Sequence, residues 1–333
     1  MAYRKKLIIL SSAAAILALA YILSFVFDGP SRDARNSAYV WLPAELADQA
    51  SRLELSSSPG ISLVLVRNQG LWFVSREGRE FPAKQARVED LFRILSSKGL
   101  YPVRAASASA HERLGLGDSA SRISVYGGIN PRPLLDLRIG YGDSTGQEIY
   151  LRNGNRNEVR SGKDLFSSYL SSSPSSWLNL RLFQNEGAPA LNAGMVQRFR
   201  VRFPLREEDT ASGEGAQETD YTLSRDAGRS WIMNGRIEEA LDNQKIESYL
   251  RSVLDAEGDD FIPSMDVSDP VFLEGTVVLE MEDGTVRSIR LGPAAEAKRK
   301  SAAVSGSPFV YLLSEWTLNR IFREKEYFYQ QNL

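Results

Sequence analysis

The sequence contains no cysteine and one histidine, and its charges of opposite sign nearly cancel. The missing cysteine excludes disulfides, thiolate-ligated zinc and a lipid-modified cysteine near the N-terminus. It fits an extracytoplasmic location without requiring one. One histidine cannot build a histidine-rich metal site, nor the usual pairing of a general base with an orienting group. The 40 lysines and arginines stand against 42 acids, a net charge of -2, so no global basic field points to nucleic acid. There is no P-loop and no dinucleotide fingerprint, so no nucleotide is expected on this chain and no cofactor is assigned to it. If ATP is used, another subunit hydrolyses it.

What is present begins with an uncharged run. "LIILSSAAAILALAYILSFVF" extends from Leu7 to Phe27. As a helix at about 1.5 Å per residue it spans roughly 31 Å, close to one hydrocarbon core. Arg4, Lys5 and Lys6 precede it, and Asp28 and Asp33 follow among Arg32 and Arg35. The positive-inside bias then puts residues 1–6 in the cytoplasm and the bulk of the chain outside it, as a single-pass protein of the cytoplasmic (inner) membrane. A cleaved signal peptide is the rival reading, with Ala18-Leu19-Ala20 as its processing site, but apolar and aromatic residues continue through Tyr21 to Phe27.

The rest of the 333 residues, 43% hydrophobic and 25% charged overall, is long enough for two domains with real cores. Residues 28–58 read as a connector holding one short helix. "ISLVLVR", "NQG" and "LWFV" then read as strand, turn and strand. A helix near Lys84 to Lys98 carries Val88, Leu91, Phe92 and Leu95 at helical spacing, with Gly99 as its C-cap. A short helix and turn at "AHERLGL", three strands at "RISVYG", "LLDLRIG" and "EIYLRN", and a closing helix at "DLFSSYL" complete the first half.

The second half repeats this order. "VQRFRVRF" reads as a strand, "REEDTASGEGAQETD" as an acidic insertion without packed structure, and "YTLSRDAGRSWIM" as a hairpin. A helix from about Asp242 carries Ile246, Tyr249, Leu250 and Val253, with Gly258 just past its end. "GTVVLEMEDGTVRSIRLG" reads as a hairpin turning at Asp283-Gly284, and "PFVYLLSEWTLNRIF" as a strand and closing helix. Trp72 corresponds to Trp231, Val88 to Ile246, and "LRIG" to "IRLG". The spacing predicts an α+β chain. An N-terminal transmembrane helix (7–27) is followed by two tandem repeats (59–176 and 195–323), each a curved antiparallel sheet with a helix packed on one face. A linker (177–194) joins them and a tail (324–333) follows. Trp72, Val88, Leu91 and Leu95 are the expected core of the first repeat. Trp231, Ile246, Tyr249 and Val253 are that of the second, since large aromatics supply the most buried area per residue.

"GLW" at 70–72, "RLGL" at 113–116, "RIG" at 138–140 and "WLNLRLF" at 177–183 together carry a resemblance. The chain resembles a bacterial family of unknown function often built as tandem copies behind one membrane anchor. Where that family's last motif usually reads Arg-Asp-Lys, Arg181 is kept and Leu182 replaces the acid. Members are often encoded beside ABC transporter ATPase and permease genes of the gliding-motility type. The resemblance implies an accessory, extracytoplasmic subunit and no catalytic residues.

Other motifs have plain structural readings. "GDSTG" at 142–146 matches the G-x-S-x-G nucleophile elbow, but it falls between two strands and His111 precedes it, so a hairpin turn is expected. His111 reads as a surface residue on a solvated helix. "EGDD" at 257–260, with Asp266 and Asp269, lacks calcium-loop spacing and reads as a solvated helix end. "KRK" at 298–300 reads as a solvated loop, with contact to anionic lipid or cell-wall polymer as the alternative. Tyr327, Phe328 and Tyr329 either dock as a final strand on the second repeat or contact a partner.

The expected function is that of a non-enzymatic accessory subunit of an ABC-type transport or gliding-type complex. It is anchored in the membrane, acts through protein–protein contact, and has permease and ATPase subunits as partners. The alternative is an envelope glycan- or peptide-binding module using the cleft between repeats. A polymer hydrolase ranks last, since it needs two carboxylates converging in one pocket.

Overall fold

The computed structural model describes residues 16–18, 21, 38–57, 61–128, 130–183, 191–204, 218–236, 241–296 and 298–330. Of the expected anchor Leu7–Phe27, Ile16, Leu17, Ala18 and Tyr21 are helical and exposed, and its other residues lie outside the described ones. Among the described residues no helix is long and apolar enough to cross a membrane. The chain divides into two units. Unit 1 is Met1–Ser75 with Ala83–Trp177, and unit 2 is Arg76–Pro82 with Leu178–Leu333.

The strands of the first half are β1 (Ala38–Tyr39), β2 (Ala50–Ser57), β3 (Ile61–Asn68), β4 (Leu71–Arg76), β5 (Arg79–Pro82), β6 (Gly99–Leu100), β7 (Val103–Ala105), β8 (Ser121–Gly127), β9 (Leu135–Gly142), β10 (Glu148–Asn153) and β11 (Val159–Lys163). Its helices are α1 (Ala44–Ala47), α2 (Gln85–Ser96) and α3 (Ser167–Leu170). The large sheet runs β4-β3-β2-β8-β9-β10-β11-β7, and β1 pairs with β6 separately. Every pairing given for these strands is antiparallel. Period-2 alternation sends Leu53, Leu55, Leu63, Leu65, Ile123 and Val125 inward. Arg52 and Glu54 lie on the opposite face, where Arg52 covers the Tyr126 ring at 4.1 Å. α2 buries Val88, Leu91 and Leu95, while Trp72 stacks on Phe92 at 5.4 Å. Each fully buried aliphatic side chain of this kind contributes about 1.5–3 kcal/mol of transfer free energy.

The second half forms β12 (Val196–Pro204), β13 (Glu218–Arg225), β14 (Trp231–Met233), β15 (Asp260–Phe261), β16 (Gly275–Met281), β17 (Val286–Glu296), β18 (Arg299–Val304) and β19 (Val310–Ser314). Its helices are α4 (Asn243–Leu254) and α5 (Glu315–Ile321). The sheet order is β14-β13-β12-β16-β17-β18-β19-β15. In β16, Val277, Leu279 and Met281 are buried alternately, and Trp231, Ile246, Tyr249 and Val253 are buried with them. Inside unit 2, Arg76 bonds both oxygens of Asp260 at 2.9 and 3.0 Å, and Phe81 stacks on Phe261 at 5.1 Å.

The fold is α+β, mostly antiparallel sheet, and several local expectations are corrected. β2 runs through the expected connector 28–58, because Ala50, Leu53 and Leu55 face the core and pair the strand between β3 and β8. Gly99 does not cap α2. It sits in β6, where a Cβ would fall 2.5 Å from the Tyr101 ring. The acidic insertion overlaps β13, which begins at Glu218, and residues 205–217 lie outside the described ones. Lys298 has φ +59°, while Arg299 and Lys300 open β18 rather than a loop.

Two of the sequence motifs meet in unit 1. The "RLGL" loop crosses β9 at the glycine of "RIG", where a Cβ on Gly140 would stand 2.2 Å from the Leu114 carbonyl oxygen. Gly115 turns that loop at φ +72°. Arg138 donates to the Gly117 carbonyl at 2.8 Å, and the buried Arg152 to that of Leu116 at 3.2 Å. Gly140→Ala therefore forces backbone apart and is expected to cost about 1–3 kcal/mol. The Cβ of Gly142→Ala would meet nothing closer than 3.7 Å. Denaturant titration checks the pair: the Gly140 variant loses midpoint and the Gly142 variant keeps it.

Candidate functional site

The site is assembled at the end of α5. Asp242 caps the start of α4, accepting from Gln244 N at 2.9 Å and Lys245 N at 3.1 Å. Ile246, Tyr249, Leu250 and Val253 face the core, where the Tyr249 ring lies 5.4 Å from Phe199 and 5.1 Å from Phe328. A helix ends with carbonyls that have no partner inside it. Here two buried phenols supply donors: Tyr249 Oη donates to the Ile321 carbonyl at 2.7 Å, and Tyr221 Oη to that of Arg323 at 2.7 Å. Burial pushes both phenols well above their ordinary range, so each keeps its proton and remains a donor. Phe322 N, bonded to the Leu318 carbonyl at 2.8 Å, closes the last turn.

Phe322 and Arg323, fixed in this way, form one wall of a pocket of about 420 Å³. Phe203 and Phe322 meet edge to face at 5.8 Å, with Leu291 and Leu318 beside them. Gly275 permits that closure, since its Cβ would stand 3.2 Å from Phe322 Cε1 and 3.3 Å from Phe203 Cβ. On the polar side Lys300 Nζ meets Glu274 Oε2 at 2.7 Å. The Arg323 guanidinium lies 4.7 Å over the Tyr327 ring, and Glu324 and Glu326 sit exposed at the rim. On α5 a second arginine repeats the device: Arg320 covers Trp316 at 4.4 Å, and Trp316 is 66% exposed.

The three tail aromatics separate. The tail is a 3-10 turn over Lys325–Phe328 rather than a final strand. Phe328 is buried between Phe199, Tyr221 and Tyr249, which takes it out of any partner contact. Tyr329 pairs with Leu241 through an isolated bridge, and Tyr327 reaches the pocket rim.

The remaining motifs do not gather at the pocket. "GDSTG" is the turn between β9 and β10. Hydrogen bonds from Thr145 and from Glu148 N hold the Asp143 carboxyl below its ordinary value. His111 lies between two 3-10 turns rather than on an α-helix, with Nε2 3.0 Å from the Asn157 carbonyl. The carboxylates of 257–269 diverge: Glu257 faces Arg181, Asp259 accepts from Ser314 N, Asp260 pairs with Arg76, and Asp266 accepts from Ser268. Among the described residues no group of three or more His, Asp or Glu side chains is placed to hold a metal ion. Lys300 was visible in "KRK". Phe203, Glu274 and the adjacent pair Phe322 and Arg323 come from three separate stretches of the chain, and no local pattern marks them together.

Fold and site thus define an antiparallel α+β chain of two units, the second carrying an amphipathic pocket at the end of a short helix. The chain belongs to the DUF4340 family, a domain of unknown function, whose profile matches residues 72–274. No curated protein and no solved structure matches it.

The tyrosine anchors make an alkaline prediction. Their folded pKa values lie above the unfolded value of 10.0, so their contribution is complete below pH 10 and is lost as the pH rises beyond it. The unfolding midpoint should fall above about pH 10. Tyr249→Phe should be less stable than the parent at neutral pH yet lose less on alkalinisation. Denaturant titration across pH, with tyrosinate absorbance followed in parallel, measures both.

Proposed function

We propose that the chain is a non-catalytic accessory subunit of an ABC-type transport or gliding-type complex. In this reading Leu7–Phe27 anchors it in the cytoplasmic membrane, and two tandem copies of one α+β unit face outward and act through protein–protein contact. The tandem reading is supported by the strand orders. Replacing β4-β3-β2-β8-β9-β10-β11-β7 by β14-β13-β12-β16-β17-β18-β19-β15 preserves every neighbour. Arg67 lies opposite Trp72 as Arg225 lies opposite Trp231. The observation that carries an interaction role is the pair of arginine-backed aromatics at α5, Trp316 with Arg320 and Tyr327 with Arg323. Trp, Tyr and Arg are the residue types that dominate binding energy at protein interfaces. The assignment to an ABC-type complex comes from the resemblance and its gene association.

A second reading, an envelope glycan- or peptide-binding module, is favoured by the pocket within unit 2. Extraction of the full chain from its native membrane in mild detergent, followed by mass spectrometry of what accompanies it, tests the first reading. A permease and an ATPase in fixed ratio are expected, with Trp316→Ala reducing their recovery. Quantitative recovery of the folded chain alone contradicts it.

A further inference from the structure

Arg323 is the pocket's unspent charge. Its guanidinium rests on Tyr327, and among the described residues no hydrogen bond or ion pair engages its N–H groups. Its backbone carbonyl is held by Tyr221, so the side chain's base is fixed. The other charges at the pocket are neutralised or solvated. Lys300 and Glu274 pair with each other, Glu326 lies 3.9 Å from Lys325, and Glu324 is exposed. Arg323 is half-buried. Water and salt screen exposed glutamates far more than a guanidinium set against protein. Beside Arg323 stand Phe322 and Phe203, with Leu291 and Leu318 next to them. A volume of about 420 Å³ lies within the range of small-ligand pockets.

We propose that this pocket binds a carboxylate borne on an apolar, ring-sized group. The acid takes the fork of Arg323, whose planar donors match both carboxylate oxygens, and the apolar group packs on Phe203 and Phe322. Such an acid occurs at the carboxyl end of a peptide with an apolar last residue, and also as a free amphiphilic acid. The inference deepens the binding-module reading and rests on it. It is independent of the accessory-subunit reading, because the extraction experiment reports on partners and the titration below on the pocket alone.

The test titrates the full-length protein in mild detergent with N-acetyl-phenylalanine, its neutral C-terminal amide and octanoate, followed by ligand-observed NMR. N-acetyl-phenylalanine is expected to bind. The amide should bind about tenfold or more weakly, and Arg323→Met should weaken the acid by a similar factor. Glu324→Gln should tighten it. Arg323→Lys, which keeps the charge and loses the fork, should fall between, and it replaces the Met variant if that one unfolds early. A preference for N-acetyl-phenylalanine over octanoate assigns the site to a peptide terminus, and the reverse assigns it to an amphiphilic acid. Equal binding of acid and amide, no binding of any probe, or an Arg323 variant that is folded and unimpaired overturns the proposal.

Discussion

In the second unit the end of α5 depends on two hydroxyls. Tyr249 and Tyr221 reach out of the core to the carbonyls of Ile321 and Arg323, where α5 ends. A buried carbonyl left without a donor costs about 1–3 kcal/mol, and here two carbonyls, two residues apart on the turn, depend on such donors. The same rings pack on Phe199 and Phe328. One set of contacts therefore joins the α4–sheet core, the end of α5 and the terminal 3-10 turn. Phe322 and Arg323 line the pocket from the segment that these bonds hold.

Much of this core was legible from spacing. The stripe Val88, Leu91, Leu95 and its counterpart Ile246, Tyr249, Val253 gave both packed helices, and alternation gave most strands. The Asp283-Gly284 turn, with Gly284 at φ +81°, followed from turn chemistry alone. What escaped were elements whose signal is tertiary. β2 reads as polar connector because "SRLELSS" alternates over too few apolar residues, and only its neighbours on both sides make it a central strand. Gly99 resembles a helix cap in sequence, yet its role is to admit the Tyr101 ring. β18 is hidden by the charges of "KRK", of which Arg299 and Lys300 occupy its first positions before the buried Ser301 to Val304.

The pocket was the least legible part, for a related reason. Its walls come from β12, Glu274 just before β16, β17, β18, α5 and the terminal turn, so no window of sequence holds two of its opposing sides. Tyr327 was singled out as an aromatic, but nothing local indicates that Arg323 lies over it while Phe328, one residue on, turns inward. Tyr249 was read as a core aromatic. That its hydroxyl does the more specific work, by ending a helix, follows only from its distance to Ile321. The feature that separates this pocket from an ordinary surface depression is an arginine oriented by a ring and not consumed by an acid.

The central claim is that the tyrosine anchors hold the end of α5 and, through it, the pocket wall. Hydrogen–deuterium exchange over Glu315–Tyr329, compared between the parent and Tyr249→Phe at neutral pH, tests it most directly. The account predicts faster exchange in the variant from Phe322 through Phe328, with β12 and β16 still protected. Unchanged protection across that turn, in a variant that has lost only the hydroxyl, would contradict it.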